Sequence, residues 1–437
     1  MERERPGVLT VLRRGNFHQK ETDPMVHNFE AKLNEYARLL VEVGMNVQPG
    51  QTPRINASLD AAALARLCAA ACYDRGAREV VVDWRDDFVS RQRYLRADGA
   101  VFSEFPGYQK AKFDWFLEKG SPNLSLTGSD PELLKGVDPA RIQAANLAAG
   151  EPTKPFYDAM TAGKFQWCVG AFPTLAWAEK AFPDKKGEDA LDALWDAIFS
   201  VCRITGDGKG VERWQGHVAA AARRAKALND YQFASLHYKN SLGTDLTVRL
   251  PDNHVWAGGS EKSAGGVEFV ANMPTEEIFT APRWDGVDGR VYAALPLALN
   301  GNLVKDFWME FKGGRIVDVH ASEGEEVLRR SIELDEGSHY LGEAALVPYD
   351  SPIRASGVLF YNTLFDENAS CHFAFGSAYP SCVKGGEDMD GEAQKAAGLN
   401  QSINHVDFMV GTRDLSIVGA THDGREIPVF VNGNFAF

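Results

Sequence analysis

Glu367, His372, Tyr379, His405 and Asp407 crowd into the stretch from Asn362 to Asp407, among apolar and glycine-rich residues typical of strands and tight loops. In His405-Val406-Asp407 the two polar residues alternate, and alternate residues of a strand share a face, so an imidazole and a carboxylate point into one pocket. Glu367 and His372 lie five positions apart, a spacing that suits neither a strand face nor a helix face. The spacing therefore predicts a bend just before a strand HFAF. Two mixed nitrogen and oxygen pairs suit a hard or borderline divalent ion. Each member also has a plainer reading, because a lone histidine in a β-rich segment is more often a hydrogen-bonded core residue. Spacing alone leaves both readings open. Cys371 adjoins His372, but on a strand it points to the opposite face, which argues against a nucleophile.

Further acids stand in the same half of the chain. Glu276 and Glu277 follow Pro274 and fall on a loop, where solvated acids at a helix start are the plain alternative. Glu343 is isolated in LGEAAL, and a lone carboxylate in apolar surroundings is costly without a partner.

These residues need elements to position them, and the chain divides in character at Phe233. Before it, helical stripes and short strands alternate: a helix over 28–44 ended by Gly44, a strand TPRINASL, a helix Leu59 to Tyr73 and a buried strand Arg78 to Trp84. A helix over 91–96 follows, then a strand PNLSLTGSD with Ser129 or Asp130 as a cap, and a strand Lys164 to Ala171. Helices over 174–182, 188–201 and 211–228 complete an open α/β domain, residues 1–232.

From 233 to 437, alternating runs dominate, including FASLHYKN, TDLTVRLP, GRVYAALPLALNG, VLFYNT, HFAF and DLSIVGATHDG. Turns at 312–315 and 422–424 mark hairpins. Only Glu323 to Leu334 and Gly391 to Ala397 read as helical, so this domain is expected to be antiparallel β and barrel-like or strongly twisted. Gly206-Asp207-Gly208-Lys209-Gly210 follows a helix and lacks the Lys-Ser/Thr ending of a phosphate loop, so it is read as a turn.

A length of 437 residues suits two domains, and 44% hydrophobic with 24% charged residues is ordinary for a globular chain. The net charge of −14, with scattered basic residues, argues against nucleic-acid or anionic-membrane partners. MERERPG lacks the apolar core of a secretory signal, and no long apolar run exists, so a cytoplasmic protein is expected. Six dispersed cysteines form no CxxC pair; Cys68 and Cys72, one helical turn apart, are expected as packing residues.

The segments NMPTEEIFTAP, GEAALVP, LFYNTLFDENASCHFAFGSAYP, AAGLNQSINHVDFMVG and the closing GNFAF resemble the signature blocks of the thermophilic-type metalloaminopeptidases, the family of aminopeptidase T, aminopeptidase S and PepS. The likeness is strong from Phe233 onward and weaker before it. It implies a metal-dependent aminopeptidase with ligands at Glu277, Glu343, Glu367, His372, His405 and Asp407. Glu343 resembles the carboxylate shared by both metals, and Tyr379 a tyrosine lining the site. Every ligand type is present, whereas the segment CVKGGEDMDGEAQKA varies in spacing among such proteins.

Charge counting agrees with two metals: four carboxylates are balanced by two divalent cations, whereas one would leave two charges unpaired. Zinc, cobalt, manganese and magnesium all suit such ligands. Glu276, beside a ligand yet not matched as one, is the candidate general base or proton shuttle, and Tyr379 the expected donor to an oxyanion. The resemblance also implies homodimers enclosing a chamber that admits short peptides. The alternatives are a mononuclear Fe(II) ring-cleaving dioxygenase of related fold, which would need fewer carboxylates, and a non-catalytic binding protein, which would be expected to lose ligands.

Overall fold

The computed structural model describes residues 28–128, 130, 132–299 and 302–437. MERERPG, the candidate cap Ser129 and the Asn300-Gly301 end of one β run lie outside the described residues.

The first half is built on a four-stranded parallel sheet, in the spatial order Val81–Arg85, Arg54–Ser58, Asn123–Thr127, Trp167–Ala171. Ile55, Ala57, Leu124 and Leu126 are buried on one face of it, and the opposite face buries the polar Arg54 and Asn123. Val81–Arg85 was expected to be buried but forms the edge and is largely half-exposed. The helix Phe29–Leu39 continues as a π turn, Leu40–Gly44. A Cβ at Gly44 would come within 2.6 Å of the Cys168 sulfur, so glycine is what lets this turn approach the sheet.

Two helices went unread in the sequence, Gly107–Lys119 and Pro139–Thr161. The second contains Pro152 and Pro155, which ordinarily break a helix by removing a donor and crowding the preceding turn. Its start is strong, with Pro139 in the first turn and the Asp138 carboxylate accepting the Ala140 N–H at 2.9 Å. Asp130 accepts the Glu132 N–H in a turn rather than capping a helix.

The second half forms two large antiparallel sheets. The larger runs Arg315–His320, Trp308–Lys312, Val287–Tyr292, Asp245–Arg249, Ser235–Lys239, Ser416–Ala420, Glu426–Val431, Asn434–Phe435. Leu246 and Val248 point inward while Asp245, Thr247 and Arg249 point out, the period of two that the sequence displays. Gly313 and Gly314 take φ of +55° and +83° in the turn joining Trp308–Lys312 to Arg315–His320, the conformation a tight hairpin requires. The smaller sheet runs His405–Met409, His372–Gly376, Leu341–Leu346, Ile278–Thr280, Ala257–Gly258. Leu246 and Val248 of the larger sheet share one core with Leu346, Phe373, Phe375 and Phe408 of the smaller.

VLFYNT is not a strand. Asn362 caps a short helix, Thr363–Asp366, and the Asp366 carboxylate accepts the N–H groups of Phe360 and Asn362 at 2.8 and 3.0 Å. Local side-chain bonds of this kind compete with ladder formation. This segment packs into the first core, where Ile353, Phe360, Leu364 and Phe365 join Trp177 and Leu194. Among the described residues, no helix is long and apolar enough to cross a membrane.

Candidate metal centre

The smaller sheet carries the polar cluster. Glu277 ends the loop before Ile278–Thr280, Glu343 lies on the fully buried strand Leu341–Leu346, and His372 opens the next strand. A register shift between Leu341 and Glu343 interrupts the ladder beside Glu343, a common way of re-aiming a side chain. Glu367 sits on the 3-10 turn Glu367–Ala369, the bend expected before HFAF. His405 and Asp407 occupy alternate positions of the edge strand.

His372 Nε2 lies 3.2 Å from Glu277 Oε2 and 3.4 Å from Glu343 Oε1. His405 Nε2 lies 3.6 Å from Glu343 Oε2 and 3.4 Å from Asp407 Oδ1. Two groups result, Glu277-Glu343-His372 and Glu343-His405-Asp407, each able to bring three ligand atoms within 4.8 Å. Glu343 belongs to both, with one oxygen toward each imidazole. Glu367 is outside these two groups, yet burial and then the charges of Glu277 and Asp407 push its carboxyl well above the ordinary range.

Proton affinities follow from this crowding. Burial raises Glu343, the His372 bond opposes it, and the neighbouring Glu277 and Asp407 raise it further. Burial lowers His372, but its bonds to Glu277 and Glu343 outweigh that and hold it well above its usual value. His405 is likewise lowered by burial but lifted by Asp407, to about 9. No lysine or arginine pairs with these carboxylates among the described residues, so the two imidazoles are the basic groups that face them.

The residues fit divalent cations. His372 Nδ1 faces the Ser370 carbonyl at 3.2 Å and His405 Nδ1 faces the Ser377 carbonyl at 2.8 Å. With Nδ1–H donated to the backbone, the Nε2 lone pairs turn toward the carboxylates, the usual arrangement of metal-binding histidines.

Comparison with known proteins points the same way. Residues 29–435 match the model of the thermophilic metalloprotease family, M29. Aminopeptidase AmpS of Bacillus subtilis (strain 168) is 46% identical over 410 residues, covering 94% of this chain and all of that one. Aminopeptidase PepS of Streptococcus thermophilus is 44% identical, covering 93% of this chain and 98% of its own. Wild-type AmpT from Thermus thermophilus superposes with a TM-score of 0.87 at 36% identity, covering 94% of this chain and all of that chain. The chain belongs to the M29 metalloprotease family. A 2,5-dihydroxypyridine dioxygenase from Pseudomonas putida KT2440 shares the fold at 13% identity and a TM-score of 0.52, covering 94% of this chain and 97% of that one.

In this M29 protein Glu276 does not face the cluster. Arg203 pairs with its carboxylate at 2.5 Å (Nη1–Oε1) and 2.9 Å (Nη2–Oε2), and His217 Nε2 lies 3.8 Å away. Neighbouring side chains diverge here: Glu277 turns to His372, and Glu276 turns to elements of the first half. The general-base or proton-shuttle role expected of Glu276 does not fit this placement, because its carboxylate faces Arg203 rather than the cluster. Three residues that sequence reasoning missed hold the loop. Arg203 binds Glu276, His217 Nε2 lies 2.8 Å from the Thr275 carbonyl, and Asn368 Oδ1 accepts the Glu276 N–H at 2.7 Å. Asn368 Nδ2 also donates to Glu367 Oε1 at 3.3 Å, tying two ligand-bearing segments together. Only Asn368, beside Glu367, carried a sequence signal.

Tyr379 lies at the rim, about half exposed, its ring 5.5 Å from that of His405 and 5.9 Å from that of Phe279. Partial desolvation, then the charges of Glu343 and Asp407, raise its pKa, so the phenol stays neutral and able to donate. Cys371 points away from His372, its thiol donating to the Val347 carbonyl at 3.2 Å and pushed by burial to about 12, which removes it as a nucleophile. Cys68 and Cys72 are buried packing residues. A cleft of about 640 Å³ borders His405 and Asp407. A larger depression of about 820 Å³, among Tyr349, Asp350, Arg354 and Arg413, contains none of the cluster residues.

Proposed function

We propose that this M29 enzyme removes the N-terminal residue from short peptides at a dinuclear centre held by Glu277, Glu343, Glu367, His372, His405 and Asp407. The observation that carries this reading is the division of Glu343, whose two oxygens face separate ligand groups. Divalent ions so held would lower the pKa of water toward about 7 and polarise the scissile carbonyl.

The chain supplies the remainder. Ser370 and Ser377 fix both imidazoles through their carbonyls, so Nε2 stays aimed inward. The neutral Tyr379 hydroxyl donates to the oxygen that gains charge as the carbonyl is attacked. Arg203, His217 and Asn368 hold the Glu277 loop in register with Glu367. Zinc, cobalt, manganese and magnesium all match the nitrogen and oxygen donors. The enzyme is read as a cytoplasmic homodimer whose enclosed space limits substrates to short peptides, in keeping with the family resemblance.

Metal analysis combined with hydrolysis of Leu-p-nitroanilide tests the reading. Two divalent ions per chain and release of p-nitroaniline are expected. A single iron with oxygen consumption would replace it with ring-cleaving chemistry. Absence of both metal and hydrolysis would leave a binding protein.

A further inference from the structure

The strand His405–Met409 stands at the end of its sheet, and its backbone directions decide what its outer edge offers. Ser377 N–H donates to the Asn404 carbonyl at 2.7 Å, and Val410 N–H donates to the Cys371 carbonyl at 2.8 Å. Antiparallel pairing alternates, so Asn404, Val406, Phe408 and Val410 turn their backbone groups toward His372–Gly376. His405, Asp407 and Met409 therefore turn theirs outward. Met409 already uses this edge, accepting the Ala294 N–H at 2.8 Å. For His405 and Asp407, no other residue among those described supplies a backbone partner on that side.

The cleft of about 640 Å³ opens along this edge, lined by Leu297, Leu299, Val327 and Leu334 together with Arg330 and Ser331. The same two residues thus present their side chains to the proposed metals and their peptide groups to the cleft. We infer that peptide substrates lie in this cleft as an added β-strand along His405 to Asp407, with the residues beyond the scissile bond paired to the free edge. Strand addition takes its affinity from main-chain hydrogen bonds and its selectivity from pockets for alternate side chains. Here the cleft mixes aliphatic side chains with polar ones such as Arg330 and Ser331, so the main-chain pairing rather than one side-chain class carries the inference.

This inference rests on the peptidase reading for its substrate, and it predicts a pattern of period two. In a tetrapeptide cleaved after its first residue, N-methylation of either the third or the fourth residue removes an edge hydrogen bond, but not both. One of the two methylated peptides should lose about tenfold in kcat/KM and the other little, the scale of a single net hydrogen bond. Uncleavable forms of the same peptides, titrated calorimetrically against the metal-loaded protein, should show the same alternation in Kd. Equal effects at the two positions, whether both large or both absent, would overturn the added strand. Leu-p-nitroanilide has no downstream chain, so its hydrolysis reports on the peptidase reading alone. Should it fail to be cleaved, the calorimetric comparison still decides the binding mode.

Discussion

Replacing Glu343 by Gln keeps the size of the side chain while removing the charge that both ligand groups share. Metal content is expected to fall from two ions per chain to one or none, measured by plasma emission after gel filtration, with the circular dichroism spectrum retained. Tyr379→Phe is expected to behave oppositely, keeping its metal while kcat falls about 10²- to 10³-fold, the usual consequence of losing an oxyanion donor. An unchanged kcat would remove Tyr379 from the chemistry. At this scale the sequence is legible where a period governs direction: His405 and Asp407 share a face because a strand alternates. Glu276 and Glu277 show where legibility ends. Which neighbour faces the cluster is settled by Arg203, 73 residues earlier, and no local pattern encodes a partner so distant.

Among elements, the loop that carries Glu277 is held by an ion pair whose carboxylate side chain is only 3% exposed. Arg203→Met leaves that carboxylate buried and unpaired, a change that typically costs about 3–5 kcal/mol. A lowered denaturation midpoint is expected together with weaker metal retention, and Arg203→Met combined with Glu276→Gln should recover part of the stability. The helix Glu188–Val201 offers a pH test. Burial, then Glu188, Asp196 and Asp189, raise Asp192 to about 6. An acid whose folded pKa is raised binds its proton more tightly when folded, so stability falls as pH climbs from about 4 through about 6. Asp192→Asn should therefore raise Tm at pH 7 and leave it little changed near pH 4. Elements themselves were legible where polarity alternated or an apolar stripe recurred. The helix Pro139–Thr161 was hidden by its two internal prolines, and VLFYNT carried a strand-like composition that the bonds of Asn362 and Asp366 override.

For the molecule as a whole, the first core does not stop where the strand pattern changes. Phe365 stacks on Phe360 with ring centroids 4.6 Å apart and lies 5.9 Å from Trp177, while Trp177 Nε1–H donates to the Phe360 carbonyl. A fragment spanning 233–437 would expose this patch, so it is expected to lack the cooperative thermal transition of the full chain. Chelation should lower Tm of the intact chain reversibly, because a ligand at a hundred times its Kd stabilises by about 2.7 kcal/mol. The β-rich character of the second half was legible in its alternating runs. The sharing of a core between halves was not, since it depends on which apolar surfaces meet. An enzyme that grips a substrate along the uncovered rim of a sheet requires several consecutive residues of that substrate to be straight at once. Chain ends coiled into a helix or already paired in a sheet of their own fail that demand. If substrates bind as the proposed added strand, finished proteins would be spared while loose fragments are trimmed, and this restraint would need no moving gate.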